Sequence, residues 1–399
     1  MIRKINLYII NNSQISSMDM SGGERIAIEF AKRWGSEINI FLYTSNLGRK
    51  IWDKYGVDNV KKIEFMRLKE NTSVLTYFFR AIYGAYVLRR LRIDPECNSI
   101  IYSASDFWPD SIPAFFVKLK YKNIKWIAGF YLFAPKPWQR TSPYKGAKWF
   151  IGFLYWLTQL PVYWIVKKYA DIVFVTSEPD VEKFVTKKRN RDKIVIVKGG
   201  VDTKLANVYL NSKNVIPVEN RKYDACFIGR FHYQKGVIEI IDIWKIVCDK
   251  RPEAKLVMIG NGPLEEKVKK RIREVQLQSN VELVGFKDGE EKYNIFKQSK
   301  IVVHPAIYDS GGMAACEAMA WGLPAVSFDL EALKTYYPKG MLKVSLGDLN
   351  GFAGMIINLL NNKGLYEKMK KDAISLAREW DWDKRAKEIW NYLERDNLD

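Results

Sequence analysis

Cysteine is scarce in this chain of 399 residues. Its four copies, Cys97, Cys226, Cys248 and Cys316, lack the spacing of a metal site or a disulfide framework. Such usage suits a reducing compartment, so a cytoplasmic protein is expected. Proline and glycine are few beside 48% hydrophobic residues, which excludes a disordered chain. Internal repeats and low-complexity tracts are absent. The chain opens on strand-like residues, so no secretory leader is expected. Acids are sparse in one half only: residues 1–200 hold 17 Asp+Glu against 33 Lys+Arg, whereas residues 201–399 hold 28 against 31. The acid-poor half points to an anionic partner there, whether membrane lipid, phosphorylated acceptor or nucleic acid; a well-solvated surface reads the same way.

What is present is a long alternation of apolar strands and amphipathic helices. Strands are expected at 5–10, 38–43, 99–103, 125–128, 172–176 and 194–197, and again at 224–228, 255–259, 281–284, 301–303 and 325–328. The spacing predicts helices from Gly22, with Ile26, Phe30, Ala31 and Trp34 inward, and from Gly236, with Val237, Ile240, Ile241, Trp244 and Val247 inward. Strand–helix alternation implies parallel sheets, and the length allows two domains. The fold class expected is α/β: two Rossmann-like doubly wound domains facing a cleft, with ligands at the carboxyl ends of the strands.

Two stretches carry chemistry. In Ile307–Asp329, a loop with Asp309 runs through Gly311-Gly312 into a short alanine-rich helix whose one charge is Glu317. A carboxylate held there needs hydrogen-bond donors. They come either from an Arg or Lys in the core or from a ligand's hydroxyls, while the helix N-terminus offers free N–H groups to an anion. After the strand near 224–228 come Arg230, Lys235 and Gly236. Cations at an expected helix start oppose the helix dipole, and a bound diphosphate would resolve that conflict; a merely basic surface loop is the plainer reading. Gly260-Asn261-Gly262-Pro263 forms a tight strand-to-helix turn.

Taken together, GRFHYQKG (229–236), GNGP (260–263), VELVGF (281–286) and DSGGMAACEAMAWGLPAV (309–326) resemble glycosyltransferase family 4, retaining enzymes of the GT-B fold. SGGER (21–25), ADIVFVTSE (170–178), GGVD (199–202) and WDWDKRAKEIWNYL (380–393) match in type and order. The resemblance implies a first, acceptor-binding domain over 1–202 completed by a C-terminal helix at 383–399, a linker at 203–222, and a nucleotide-sugar-binding domain over 223–382. It implies that Arg230 and Lys235 bind the donor diphosphate, that Glu317 holds the nucleotide ribose, and that Asp309 lies near the donor sugar in place of the family's first glutamate. Gly260 would lie in the donor site. Backbone at Gly311, Gly312 and Met313 would approach sugar and phosphate, Gly285, Phe286 and Lys287 would flank the base, and Gly22 and Gly23 would face the phosphates. The donor is a substrate, so no cofactor is expected, and no metal. Asp381-Trp382-Asp383 reads as a helix cap. The family's first-domain histidine has no counterpart around 126–135; the only histidines are His232 and His304.

Trp149–Val166 carries no charge and is flanked by Lys145, Lys148, Lys167 and Lys168. Its length makes it a marginal membrane span, but strands on both sides belong to one sheet and Pro161 interrupts it. A helix pair dipping into an anionic membrane surface is expected instead, joined by a basic, aromatic helix at 75–92; core helices are the alternative. A lipid-linked or membrane-associated glycan acceptor follows from the first reading. An inactive nucleotide-sugar binder and a sugar-nucleotide epimerase remain competitors by fold. A basic nucleic-acid binder is another, although no nucleic-acid module is present and no nucleic-acid partner is expected.

Overall fold

The structure, a computed structural model, describes residues 5–14, 20–35, 38–70, 74–94, 97–139, 142, 144–309 and 311–398. The chain divides into two compact units, one of Met1–Gly199 with Arg385–Asp399, the other Gly200–Lys384.

The first unit holds seven parallel strands: β1 (Ile5–Ile10), β2 (Asn39–Ser45), β3 (Lys61–Met66), β4 (Asn98–Ser103), β5 (Lys125–Gly129), β6 (Ile172–Val175) and β7 (Ile194–Ile196). Their spatial order is β3-β2-β1-β4-β5-β6-β7. Strands such as β6, IVFV, are apolar at every position because helices cover both faces. The helix Gly22–Trp34 is capped by Ser21, whose Oγ accepts from the Glu24 N–H at 3.1 Å, and buries Ile26, Phe30, Ala31 and Trp34 as their spacing requires. Trp34 Nε1 donates to the Ala386 carbonyl at 2.9 Å and its ring meets Trp390, tying the end of the C-terminal helix Trp382–Leu398 to this unit. Asp381 Oδ1 accepts from the Asp383 N–H at the start of that helix.

The second unit holds β8 (Tyr223–Ile228), β9 (Leu256–Ile259), β10 (Val281–Leu283), β11 (Ser299–His304), β12 (Ala325–Phe328) and β13 (Met341–Val344), in the order β10-β9-β8-β11-β12-β13. Ala225 and Phe227 face one core and Cys226 the other, as the two-residue period of a strand demands. Both sheets reverse strand order beside their first strand, between β1 and β4 and between β8 and β11. Loops leaving those strands diverge there and open a crevice. This is the doubly wound arrangement expected, twice over.

Several elements differ from the sequence expectations. The edge strands β3 and β13 went unforeseen. The helix expected from Gly236 begins at Glu239, because Gly236 has φ +63° and caps a short 3-10 turn, Tyr233–Lys235. Residues 203–222, read as a linker, include the helix Lys204–Leu210 with Ala206 buried. The expected helix pair at 149–166 is one helix, Trp149–Tyr169, with exposed Pro161 inside it. A carbonyl left without its N–H partner by proline can be hydrated on that exposed side. The helix expected at 75–92 is Val74–Leu88.

Trp244 is fully buried in the helix Glu239–Lys250, packed with residues of the second unit's core. We expect Trp244→Ala to lower unfolding free energy by about 3–5 kcal/mol in urea titration, the usual loss for a large core aromatic.

Candidate functional site at the carboxyl edges of the sheets

In the second unit, four loops meet at the carboxyl edge, those after β8, β9, β10 and β11. Arg230 follows β8 by way of Gly229 and is exposed. The 3-10 turn then presents Lys235, and Gly236 fixes its direction: a Cβ there would lie 1.9 Å from the Pro305 carbonyl oxygen. Backbone bonds stitch the neighbouring loops together. Gly229 N donates to Ile259 O at 3.0 Å, Phe231 N to Asn261 O at 2.7 Å and Gly260 N to Gly285 O at 2.8 Å. Gly260 has φ +139°, and a Cβ on it would stand 2.0 Å from Gly229 O. On the β11 side, Ile307 N and Tyr308 N both donate to Gln234 O, so the Lys235 turn and the Asp309 loop move as one piece.

Asp309 is the buried charge of this edge. Lys235 Nζ donates to its Oδ2 at 2.6 Å, and the N–H groups of Gly311 and Gly312 reach Oδ1 at 3.3 Å. His304, the last residue of β11, brings Nε2 to 3.0 Å from Oδ2, too obliquely for a directed hydrogen bond. Burial by itself would raise the carboxyl pKa, but Lys235 and then His304 outweigh it and hold Asp309 well below the usual carboxylate range. Gly312 adopts φ +61° and leads into the helix Met313–Ala320, while Tyr337 Oη donates to its carbonyl. Lys235 therefore does not stand at the start of a long helix, and a protein carboxylate balances its charge.

Glu317 lies half-exposed on that short helix. Lys292 Nζ donates to its Oε2 at 2.8 Å and to Asp288 Oδ1 at 2.9 Å. The cation in the core, one of the two donors weighed for Glu317, is thus Lys292. Among the described residues Oε1 has no partner. Burial opposes the Lys292 charge, but Glu317 and then Asp288 raise its pKa well above the ordinary lysine value. Gly285 has φ +70° with open space beside it, Phe286 is exposed, and Lys287 pairs with Glu291 at 2.8 Å.

In the first unit, Gly22 and Gly23 open the helix after β1. A Cβ on Gly23 would come within 2.6 Å of the Ala104 carbonyl, which follows β4. Behind them lies a buried polar cluster that sequence reasoning missed. Gln14 Nε2 donates to Glu24 Oε1 at 2.6 Å, Asn12 N to Asp110 Oδ1 at 2.6 Å, and Arg80 Nη1 to the Gln14 carbonyl at 2.6 Å. Its members lie far apart in the chain and no short motif marks them. The one signal was a glutamate three residues after Ser21, a capping-box spacing whose side chain turns inward here.

Burial pushes the Glu24 carboxyl up to about 8 and those of Asp106 and Asp110 to about 6. A raised acid keeps its proton in the folded chain, so the folded state binds more protons than the unfolded one between pH 4.5 and 8. The contribution of Glu24 is therefore fully present below its unfolded pKa and is lost as pH rises through about 8. We expect wild-type stability, relative to Glu24→Gln, to fall by an amount on the order of 4 kcal/mol between pH 5 and pH 9. Chemical unfolding at the two pH values measures it, and a pH-independent difference would refute it.

Comparison with known proteins fits this geometry. Residues 208–376 match the family described as glycosyl transferases group 1. The chain is 26% identical over 214 residues to a poly(glycerol-phosphate) alpha-glucosyltransferase of Bacillus subtilis, covering 53% of this chain and 30% of that protein. It is 27% identical over 296 residues to an uncharacterised glycosyltransferase of Methanocaldococcus jannaschii, covering 70% and 66%. These alignments thus span less than two thirds of the length of either relative. The crystal structure of HepE from Anabaena in complex with UDP and glucose superposes with a TM-score of 0.70 at 14% identity, over 98% of this chain and 99% of that one. The fold is GT-B, and the Lys235–Asp309 and Lys292–Glu317 pairs both lie within the residues that match the family model.

Proposed function

We propose that the protein is a retaining, family 4-type glycosyltransferase. It moves a sugar from a nucleotide diphosphate donor to a lipid-linked or membrane-associated glycan, acting without a metal at the cytoplasmic face of a membrane. The observation that carries the donor half is the convergence, inside the matched domain, of Arg230, Lys235 and the Gly311–Gly312 backbone on one carboxyl edge. Arg230 and Lys235 take the diphosphate. An ammonium has three donors, and Asp309 engages one of those on Lys235. As the glycosidic bond breaks, charge builds on the departing diphosphate, and preorganised cations and N–H groups stabilise it. Asp309 acts by holding Lys235 and the glycine backbone in place, while the free oxygen of Glu317 takes a ribose hydroxyl. Gly260, Gly285, Phe286, Lys287 and Met313 complete the nucleotide pocket.

The acceptor half rests on three helices of the first unit. Val74–Leu88 packs on Trp108–Lys120, which packs on Trp149–Tyr169. Leu75, Ile82, Phe150, Ile151 and Trp164 are each at least 60% exposed. The helix Trp149–Tyr169 is long and apolar enough to cross a membrane by length and composition, with only 22% of its most apolar window buried. Core packing does not account for such a surface. Neither does a membrane crossing, since β5 and β6 on either side of this helix pair directly, Ile127 with Ile172. Exposed Arg89, Arg90, Lys120, Lys145 and Lys168 border these apolar residues, the composition of a face that lies on anionic lipid.

Two outcomes test the reading. UDP, GDP or ADP should raise the melting temperature, and Arg230→Ala should weaken binding of that nucleotide about 10–100-fold by calorimetry, the loss of a charge-assisted bond; equal binding removes Arg230 from the site. The protein should also sediment with phosphatidylserine vesicles at low salt and be released at high salt. Recovery wholly in the supernatant at low salt contradicts the membrane assignment.

A further inference from the structure

Lys292 has no role in the account so far. It is 8% exposed, on the helix Gly289–Lys297, one turn after Asp288, the residue that precedes that helix. Its ammonium spans two elements, at 2.9 Å from Asp288 Oδ1 and 2.8 Å from Glu317 Oε2. Asp288 ends the loop that begins at Gly285 after β10, and Glu317 projects from the helix after the Asp309 loop. One buried cation therefore joins the loop assigned above to the base and the carboxylate assigned to the ribose.

That link has a mechanical consequence. A glutamate on a helix surface has three rotatable side-chain bonds, and ordering such a side chain has an entropic cost. A carboxylate that must meet a vicinal diol loses affinity if it pays this cost on binding, and gains if a neighbour has already fixed it. Lys292 occupies Oε2 and, among the described residues, leaves Oε1 without a partner. Gly260 N donates to Gly285 O at 2.8 Å at the start of this loop, and Lys292 holds its end through Asp288.

We propose that Lys292 is a positioning residue for nucleoside recognition: it holds the Glu317 carboxylate in register with the 285–288 loop, so that ribose and base are read as one rigid unit. The inference rests on the nucleotide reading of the site. Its specific content is that selectivity for a ribose diol, beyond diphosphate affinity, depends on a lysine that touches no ligand.

The test separates the two levels. The nucleotide among UDP, GDP and ADP that binds wild type is compared with its dideoxyribose analogue, which lacks both ribose hydroxyls, by calorimetry on the full chain. Wild type should prefer the ribonucleotide by at least tenfold. Lys292→Met keeps the apolar stem and removes the charge; ribonucleotide affinity should fall about tenfold and analogue affinity less than about threefold, so the preference collapses. Lys292→Arg, which can still bridge the two carboxylates, should retain most of it. Equal losses for both nucleotides, or an unchanged preference in Lys292→Met, would overturn the role of Lys292 while leaving the donor site intact. Should Lys292→Met fail to fold, Asp288→Asn decides: a preference within twofold of wild type refutes the link to the loop, and a reduced one supports it. If none of the three nucleotides binds wild type, the donor-site reading falls and this inference falls with it.

Discussion

A negative charge taken out of water must be met on every side, and the carboxylate of Asp309 sets that requirement for the whole carboxyl edge of the second sheet. An unpaired buried carboxylate costs many kcal/mol, far more than a domain can spare. The chain answers with a lysine, a histidine and two backbone N–H groups. Each answer imposes a further demand. Lys235 reaches the carboxylate only from a turn that ends in a left-handed glycine, and the two N–H groups converge only where Gly312 also turns left-handed. Gly236 and Gly312 thus both serve one buried charge.

The same logic operates in the first unit with less cationic compensation. Its switch point between β1 and β4 buries Glu24, Asp106 and Asp110 near the buried Arg80. Arg80 spends two donors on the carbonyls of Asn12 and Gln14. The acids are left with neutral donors such as Gln14, Gln159 and Ser105. Neutral donors do not offset desolvation as a salt bridge does, so these carboxyls are pushed up while Asp309 is held down. Two sheets of one topology thus carry acids of opposite protonation tendency at equivalent edges.

Much of this was legible in the chain. Central strands are buried on both faces, so stretches such as LYII, IVFV and ACFI announce themselves as unbroken apolar runs. Two of the four edge strands do not. β3 reads KKIEFM and β13 reads MLKV, because an edge open to solvent admits lysine and glutamate and breaks the run. Helix starts were misread where a glycine was taken for a helical residue: Gly236 is left-handed because the Pro305 carbonyl occupies the space a side chain would need. Partners distant in sequence were not legible at all. Lys235 and Asp309 were both singled out, yet their pairing across 74 positions was not foreseen. Lys292 drew no notice in a helix of ordinary charge pattern. Periodicity records which face is buried, but not which buried charges meet.

That residue 309 is an aspartate and not a glutamate has a physical consequence. A carboxylate one methylene from its backbone can accept from N–H groups two and three residues onward, the reach of an Asx turn. Asp309 does this with Gly311 and Gly312 while its other oxygen holds Lys235. A glutamate at the same position would carry its carboxylate farther from those two N–H groups and would leave them to other acceptors. The shorter acid, expected from the sequence to lie near a sugar, is placed here to shape the loop. Lys235, tethered by that acid, can move only as far as one 2.6 Å hydrogen bond allows, so the protein itself fixes the position of the cation.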